Sequence, residues 1–263
     1  MDLTSERIYQ GVRNATHQRQ IAGEQLPAMV FTTVSDEAPG PACDGSNRRE
    51  RTVKWFLFGG LAVLLIVMAF ALDSPVGRLV SRNPDPVWRE AASLITQYAN
   101  LPFLLLAAAG LLVAGVWRRN RFWKRLALAL ILSSCLSGLV ATTIRSTTGR
   151  TRPFAKEPQG WYGIRYNSQW LIGKYDYGSF PSGHTGTAMG FAGVLLLGVR
   201  RWKLPAVLLG VLMAWSRVFL GCHHFSDVVV SGLIGMAVGY LTWHRILPAL
   251  DRMWSPTQPS PAV

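Results

Sequence analysis

The stretch WFLFGGLAVLLIVMAFAL (residues 55–72), closed by Lys54 on one side and Asp73 on the other, contains no charged residue. As a helix it would be about 27 Å long, close to the ~30 Å hydrocarbon core of a bilayer. Working outward, uncharged runs of similar length recur at 91–117, 126–144, 177–199 and 228–244, and a sixth, 204–222, is interrupted by Arg217 alone. With 49% hydrophobic and only 16% charged residues over 263 positions, the composition is that of a chain dissolved in lipid. The expected fold class is therefore all-α, a bundle of six transmembrane helices.

The formal charge of +13 does not mark a nucleic-acid binder. The first 54 residues hold seven acidic and seven basic side chains, so the whole excess lies among the apolar runs. Basic residues there belong to loops facing anionic lipid or to a phosphate site. Arg48, Arg49, Arg51 and Lys54 abut the first run, and the basic clusters at 118–125 and 200–203 fall on the same side if the spans alternate. The positive-inside rule then puts both termini in the cytoplasm. The outer face receives the 145–176 loop and the junction of the last two spans.

Three segments are expected: a mostly disordered cytoplasmic extension over 1–53, rich in Pro and Gly near its end; a membrane domain over 54–247; and a short cytoplasmic tail over 248–263. The first run follows a long polar tail, so it is expected to stay as an anchor, not to be cleaved as a signal peptide. Cys43, Cys135 and Cys222 are too far apart for a metal-spaced pair or a disulfide framework, and are expected to be structural.

Chemistry-bearing residues gather in three places. Arg217, His223 and Asp227 lie where the fifth span ends and the sixth begins. Each charge there costs on the order of 3 kcal/mol on insertion scales and needs a partner or a use. One reading is an ion pair packing two helices. The other is a nucleophile and its orienter: if the sixth helix starts near His223, Asp227 falls one turn on, and a carboxylate on one ring nitrogen leaves the other free to attack. Pro181-Ser182-Gly183-His184 opens the fourth span, where a helix N-terminus favours an anion and His184 could donate a proton to a leaving oxygen; by itself it reads equally as a capped surface helix. Arg145, Arg152 and Pro153 form the third group, with forked donors suited to phosphate or to a solvated basic loop.

Taken in order, these segments resemble the signature of the type-2 phosphatidic acid phosphatase superfamily, which also holds the vanadium haloperoxidases: Lys-x6-Arg-Pro, Pro-Ser-Gly-His, Ser-Arg-x5-His-x3-Asp. The second and third blocks match at every specified position, and the first departs once, with Arg145 in place of lysine. The resemblance covers roughly residues 54–247 and implies a site at the outer membrane face. It implies His223 as nucleophile, Asp227 as its orienter and His184 as general acid. Arg145, Arg152, Arg217, Ser182 and the Gly183 backbone would hold the phosphoryl oxygens. No metal or other cofactor is expected, and the expected partners are the bilayer and a lipid phosphate within it.

The expected function is that of a lipid phosphatase releasing phosphate from a polyprenyl diphosphate, phosphatidylglycerol phosphate, phosphatidate or lipid A. A phosphotransferase using the same phospho-histidine remains open, and so does a non-catalytic lipid transporter or scaffold, though the latter has no need of the two histidines. Haloperoxidase chemistry is disfavoured, because that branch is soluble. Compact form and basic loops suggest a bacterial inner membrane. His224 is expected to be a bystander and His244 an interface residue. Trp161, Tyr162, Tyr166, Trp170, Tyr175 and Tyr177, interleaved with Lys156, Arg165 and Lys174, read as an interfacial belt with some head-group contact.

Overall fold

The computed structural model describes residues 45–82 and 85–254; of the extension expected to be disordered over 1–53, residues 45–53 form the start of a helix instead, and the rest of it and the end of the cytoplasmic tail lie outside the described residues. The described chain is predominantly helical. In order it runs α1 (Gly45–Arg82), α2 (Pro86–Tyr98), α3 (Leu101–Trp117), α4 (Arg121–Thr148), a two-stranded antiparallel hairpin β1 (Arg165–Tyr166) and β2 (Gln169–Trp170), α5 (Gly183–Gly198), α6 (Lys203–Phe219), α7 (Phe225–Leu241), a π-helical turn Thr242–Ile246 and α8 (Leu247–Trp254).

Four of the six expected spans are long and apolar enough to cross a membrane by themselves: Thr52–Val80, Arg121–Thr148, Arg200–Phe219 and Phe225–Arg252. The run at 91–117 is not one straight helix. It breaks into α2 and α3 at a 49° bend and counts as a fifth span only if the pair is taken together. The cause is local: Asn100 folds its side chain onto the Phe103 N–H at 3.4 Å, and Pro102 suits the first turn of a new helix, not the interior of an old one. The run at 177–199 is shorter than expected, because Pro181 and the Ser182 cap start α5 only at Gly183 and leave it 16 residues. At 1.5 Å per residue that is about 24 Å. Among the described residues four spans stand by length and composition, five if the bent pair is one, so the expected six are not all recovered.

Short as it is, α5 is the axis of the bundle. Residues 185–188 and 190–195 are all buried, against α4, α6 and α7. The contact is between backbones. A Cβ at Gly190 would lie 2.9 Å from the Ser133 carbonyl, and one at Gly235 would lie 2.6 Å from the Gly186 carbonyl. Small residues let helices approach closely enough for dispersion and side-chain hydrogen bonds to replace the missing hydrophobic drive between helices in lipid; Ser133 Oγ donates to the Gly190 carbonyl at 2.8 Å. Apolar packing of Leu104, Leu130, Phe191, Val194 and Met213 fills the rest of this core. By contrast α1 turns nearly everything outward, with 6% of its apolar window buried, as a lipid-facing helix should.

Candidate active site

Three chain breaks converge at one end of α5. The helix α4 ends at Gly149, whose φ of 58° is the left-handed conformation glycine adopts without strain, and a Cβ there would meet the Gly163 carbonyl at 2.1 Å. Ser182 caps α5 by accepting from the Thr185 N–H at 3.4 Å and the Thr185 hydroxyl at 3.1 Å. That leaves its own hydroxyl proton to give away, beside a helix start whose first N–H groups have no carbonyl behind them. Between α6 and α7 the chain turns at Gly221, φ 63°, where a Cβ would meet the Phe154 ring at 2.1 Å.

That last turn brings Arg217 and His223 to one site. His223 is 2% exposed. Its Nδ1 lies 2.7 Å from the Ser179 carbonyl, an acceptor only, which assigns the ring proton to Nδ1 and leaves the Nε2 lone pair free. Burial pushes the imidazole below the usual histidine range, outweighing the opposite pull of Asp227, so the ring is neutral at neutral pH.

The expected direct contact between His223 and Asp227 is not formed as a hydrogen bond. Nδ1 to Oδ2 is 3.7 Å, beyond hydrogen-bond reach. The reason is the start of α7, which lies at Phe225 and leaves His223 outside the helix. Asp227 then sits in the first turn, accepting from the His224 N–H at 2.8 Å and the Ser179 hydroxyl at 2.5 Å, with Arg150 Nη1 at 2.5 Å on its other oxygen. The carboxylate reaches the imidazole through Ser179. His224 Nε2 is held against the Thr151 carbonyl at 3.0 Å.

Arg145, Arg152, Arg217 and His223 all act electrostatically on His184, in the first turn of α5. Arg145 Nη1 comes within 3.4 Å of where a Gly183 Cβ would stand, so glycine keeps that approach open. Arg152 donates to the carbonyls of Tyr175, Cys222 and Gly178 at 2.8, 3.1 and 3.3 Å and stacks on the Tyr175 ring, its carbon 3.8 Å from the centroid. Arg217 Nη1 reaches Thr96 at 3.4 Å, while among the described residues its buried Nε has no partner. Among the described residues none of these three arginines has a carboxylate within ion-pair distance. Nor do three His, Cys, Asp or Glu side chains converge at metal-ligand spacing among the described residues.

Three cavities border this cluster: one of about 210 Å³ lies at His223 and His224, with Asp73, Arg89 and Phe154 in its wall, and two larger ones meet at Arg145. One, of about 430 Å³, runs between α3, α4 and α5, apolar along Leu101, Pro102, Cys135 and Leu139 and ending at Arg145, Gly183 and His184. The other, of about 320 Å³, shares Arg145 and is lined by Arg152, Lys174, Tyr175 and Tyr177. Of the aromatic loop, Tyr175 and Tyr177 face this second space, whereas Trp161 lies against the Arg150 guanidinium at 4.8 Å and the Phe180 ring at 5.0 Å.

Sequence reasoning missed Asp73, Thr96, Arg150 and Ser179. Asp73 carried a signal, being an acid that closes the first uncharged run. Arg150 was hidden among neighbouring arginines, and nothing in the local sequence marks Thr96 or Ser179.

The PAP2 superfamily model matches residues 122–249, which include all eight expected site residues. The chain is similar to the lipid A 1-phosphatase of Rhizobium johnstonii, 27% identical over 72% of this chain and 76% of that protein. It is similar also to the probable diacylglycerol pyrophosphate phosphatase 1 of Schizosaccharomyces pombe (29%; 59% of this chain, 66% of that one). A third relative is the undecaprenyl-diphosphatase BcrC of Bacillus subtilis (26%; 56% and 69%).

Proposed function

We propose that this chain, matched by the PAP2 superfamily model over residues 122–249, is an integral membrane lipid phosphatase of that type, which transfers a phosphoryl group from a lipid phosphate or diphosphate to Nε2 of His223 and then to water. The observation that carries the reading is the neutral, buried His223, with Nδ1 committed to a carbonyl and Nε2 free, beside three guanidinium groups that lack carboxylate partners among the described residues.

In the first step Nε2 attacks phosphorus, the bond from phosphorus to the ester or anhydride oxygen breaks, and His184, held as imidazolium by the negative charge of the bound phosphate, gives that oxygen its proton. Arg145, Arg152, Arg217, the Ser182 hydroxyl and the Gly183 N–H hold the three equatorial oxygens, where charge builds in the transition state. In the second step water, losing its proton to the now neutral His184, attacks phosphorus and breaks the nitrogen–phosphorus bond. Every charge needed is supplied by the protein, so the reaction runs without metal. The imidazolium forming at His223 shares its Nδ1 proton with the Ser179 carbonyl, and Asp227 stabilises it at 3.7 Å and through Ser179.

The substrate keeps its tail in lipid. Its apolar part lies along the groove of Leu101 and Leu139, and its head reaches the space beside Tyr175 and Tyr177 through Arg145. The named relatives differ in the lipid they act on and share a terminal phosphate, which is the feature this arginine cluster fits. Polyprenyl diphosphate, phosphatidylglycerol phosphate, phosphatidate and lipid A form the panel of candidates. The basic clusters at 118–125 and 200–203 orient the site to the outer face of a bacterial inner membrane, with both termini cytoplasmic.

The test is phosphate release from that panel by detergent-purified protein with chelator present. Release is expected from at least one lipid and is expected to fall by about 10⁴-fold or more in His223→Ala, the scale on which removing a nucleophile acts. Undiminished turnover in that variant would remove His223 from the mechanism.

A further inference from the structure

Behind His223 stands a second array, which meets the phosphoryl chemistry only through Asp227 and Ser179. Arg150 is buried and bridges two carboxylates, with Nη1 to Asp227 Oδ1 at 2.5 Å and Nη2 to Asp73 Oδ2 at 2.6 Å. Nη1 also reaches Ser226 Oγ at 2.7 Å. Asp73, in the last third of α1, accepts from the Ser226 N–H at 2.7 Å and the Ser226 hydroxyl at 2.7 Å. The Arg150 carbonyl in turn accepts from the Ser179 N–H at 3.0 Å. Arg150 therefore fixes Ser179 from both sides, through its own backbone and through Asp227, and it is the Ser179 carbonyl that holds Nδ1 of the nucleophile.

The guanidinium cannot leave this position easily. Phe70, Trp161 and Phe180 surround it, with ring centroids 5.3, 4.8 and 5.9 Å from its carbon. Phe70 and Asp73 lie one turn apart on α1, so this otherwise lipid-facing helix directs both an aromatic ring and a carboxylate at one arginine. A paired structural ion bridge far from the chemistry would explain Arg150 with one acid. It does not explain why the second acid, from a helix otherwise turned to lipid, grips the same guanidinium and the first turn of α7 together.

We propose that Asp73 and Arg150 are positioning residues for phosphoryl transfer: α1 sets the aim of the His223 imidazole through the chain Asp73, Arg150, Asp227 and Ser179. This rests on the reading of His223 as the nucleophile. Neither residue touches substrate, so their loss lowers the rate of the chemical step and leaves ground-state binding intact.

The experiment compares full-length wild type with Asp73→Asn and Asp73→Glu on whichever lipid the wild type hydrolyses best, with melting temperature recorded for each. Orthovanadate, which adopts the five-coordinate geometry of the transferring phosphoryl group, and inorganic phosphate serve as binding probes. For Asp73→Asn, kcat is expected to fall about 10–100-fold, the scale seen when the outer partner of a functional histidine is removed. KM should stay within about threefold, vanadate binding should weaken in step with kcat, and phosphate affinity should hold. Asp73→Glu restores the carboxylate and is expected to recover most of the rate. A kcat in Asp73→Asn within twofold of wild type overturns the proposal. So does a loss in which KM, phosphate binding and melting temperature all collapse together, the mark of a merely structural residue. Should the wild type prove inactive on every lipid, vanadate binding still decides: selective weakening in Asp73→Asn supports the proposal, and unchanged binding defeats it. A wild type that neither turns over nor binds vanadate brings down the functional reading itself, and this proposal with it.

Discussion

Arg150 and Arg217 are equally buried, at 7% exposure each, yet they live under opposite conditions. Arg150 has two carboxylates within 2.6 Å and three aromatic rings around it. Arg217 has one distant threonine hydroxyl and a buried Nε with no partner among the described residues. The pairing of Arg150 is complete, so it can be rigid. The guanidinium of Arg217 lacks a counter-charge among the described residues, which makes an anion its natural partner. Buried charge in this protein thus has two uses: one cluster holds the nucleophile still, and the other receives what it attacks.

The sharpest way to break that contrast is to replace each arginine by methionine. Arg217→Met is expected to cut kcat/KM by about 10³-fold, the scale on which removing one donor to a developing oxyanion acts. Stability should be unchanged or raised by up to about 4 kcal/mol, because an uncompensated buried charge has gone. Arg150→Met leaves Asp73 and Asp227 buried without their cation, and is expected to destabilise the fold by about 3–5 kcal/mol. Thermal unfolding in detergent reads both; shifts of the same sign would end the distinction.

A smaller effect sharpens it. Arg145→Lys tests whether the phosphate cluster needs a fork or only a charge, and activity is expected to stay within about tenfold of wild type. A loss above about 100-fold, some 2.7 kcal/mol of barrier, would show that the site is built around the guanidinium. Smallest is the expected pH effect. His223 must be neutral to attack, and its pKa is lowered by burial and by Arg152 and Arg217. Activity is therefore present above that lowered pKa and lost as pH falls through it, and a profile of kcat/KM should keep its acid limb below the ~6.5 of an ordinary histidine. In Arg217→Met one of the depressing charges is gone, and the limb should move toward higher pH.

The bundle was largely legible because lipid imposes a simple rule, long uncharged runs, and α1, α4, α6 and α7 obey it. The break at Asn100 was not, since a capping asparagine within an uncharged run changes no charge and little hydropathy. The length of α5 was misread for a related reason: residues 177–182 are uncharged and yet form a turn and a cap. At the site, grouping Arg145, Arg152, His184, Arg217 and His223 rested on the resemblance of three ordered motifs to a family signature, and the structure brings them to one end of α5. The spacing of His223 and Asp227 misled, because four residues make one helical turn only when both residues are in the helix. Asp73 could not be placed at all: it meets Ser226 across 153 positions, and no local pattern carries such a distance.

That separation has a consequence for biosynthesis. Asp73 emerges with the first span, 77 residues ahead of Arg150 and 153 ahead of Ser226. At about 5–20 residues per second the ribosome takes roughly 8–30 s to deliver the last partner. Over that interval α1 must hold its depth by apolar length alone, with Asp73 unmatched at the bilayer edge. The array that aims the nucleophile closes only when α7 arrives, so the order of synthesis itself keeps an incomplete chain from carrying a finished active site.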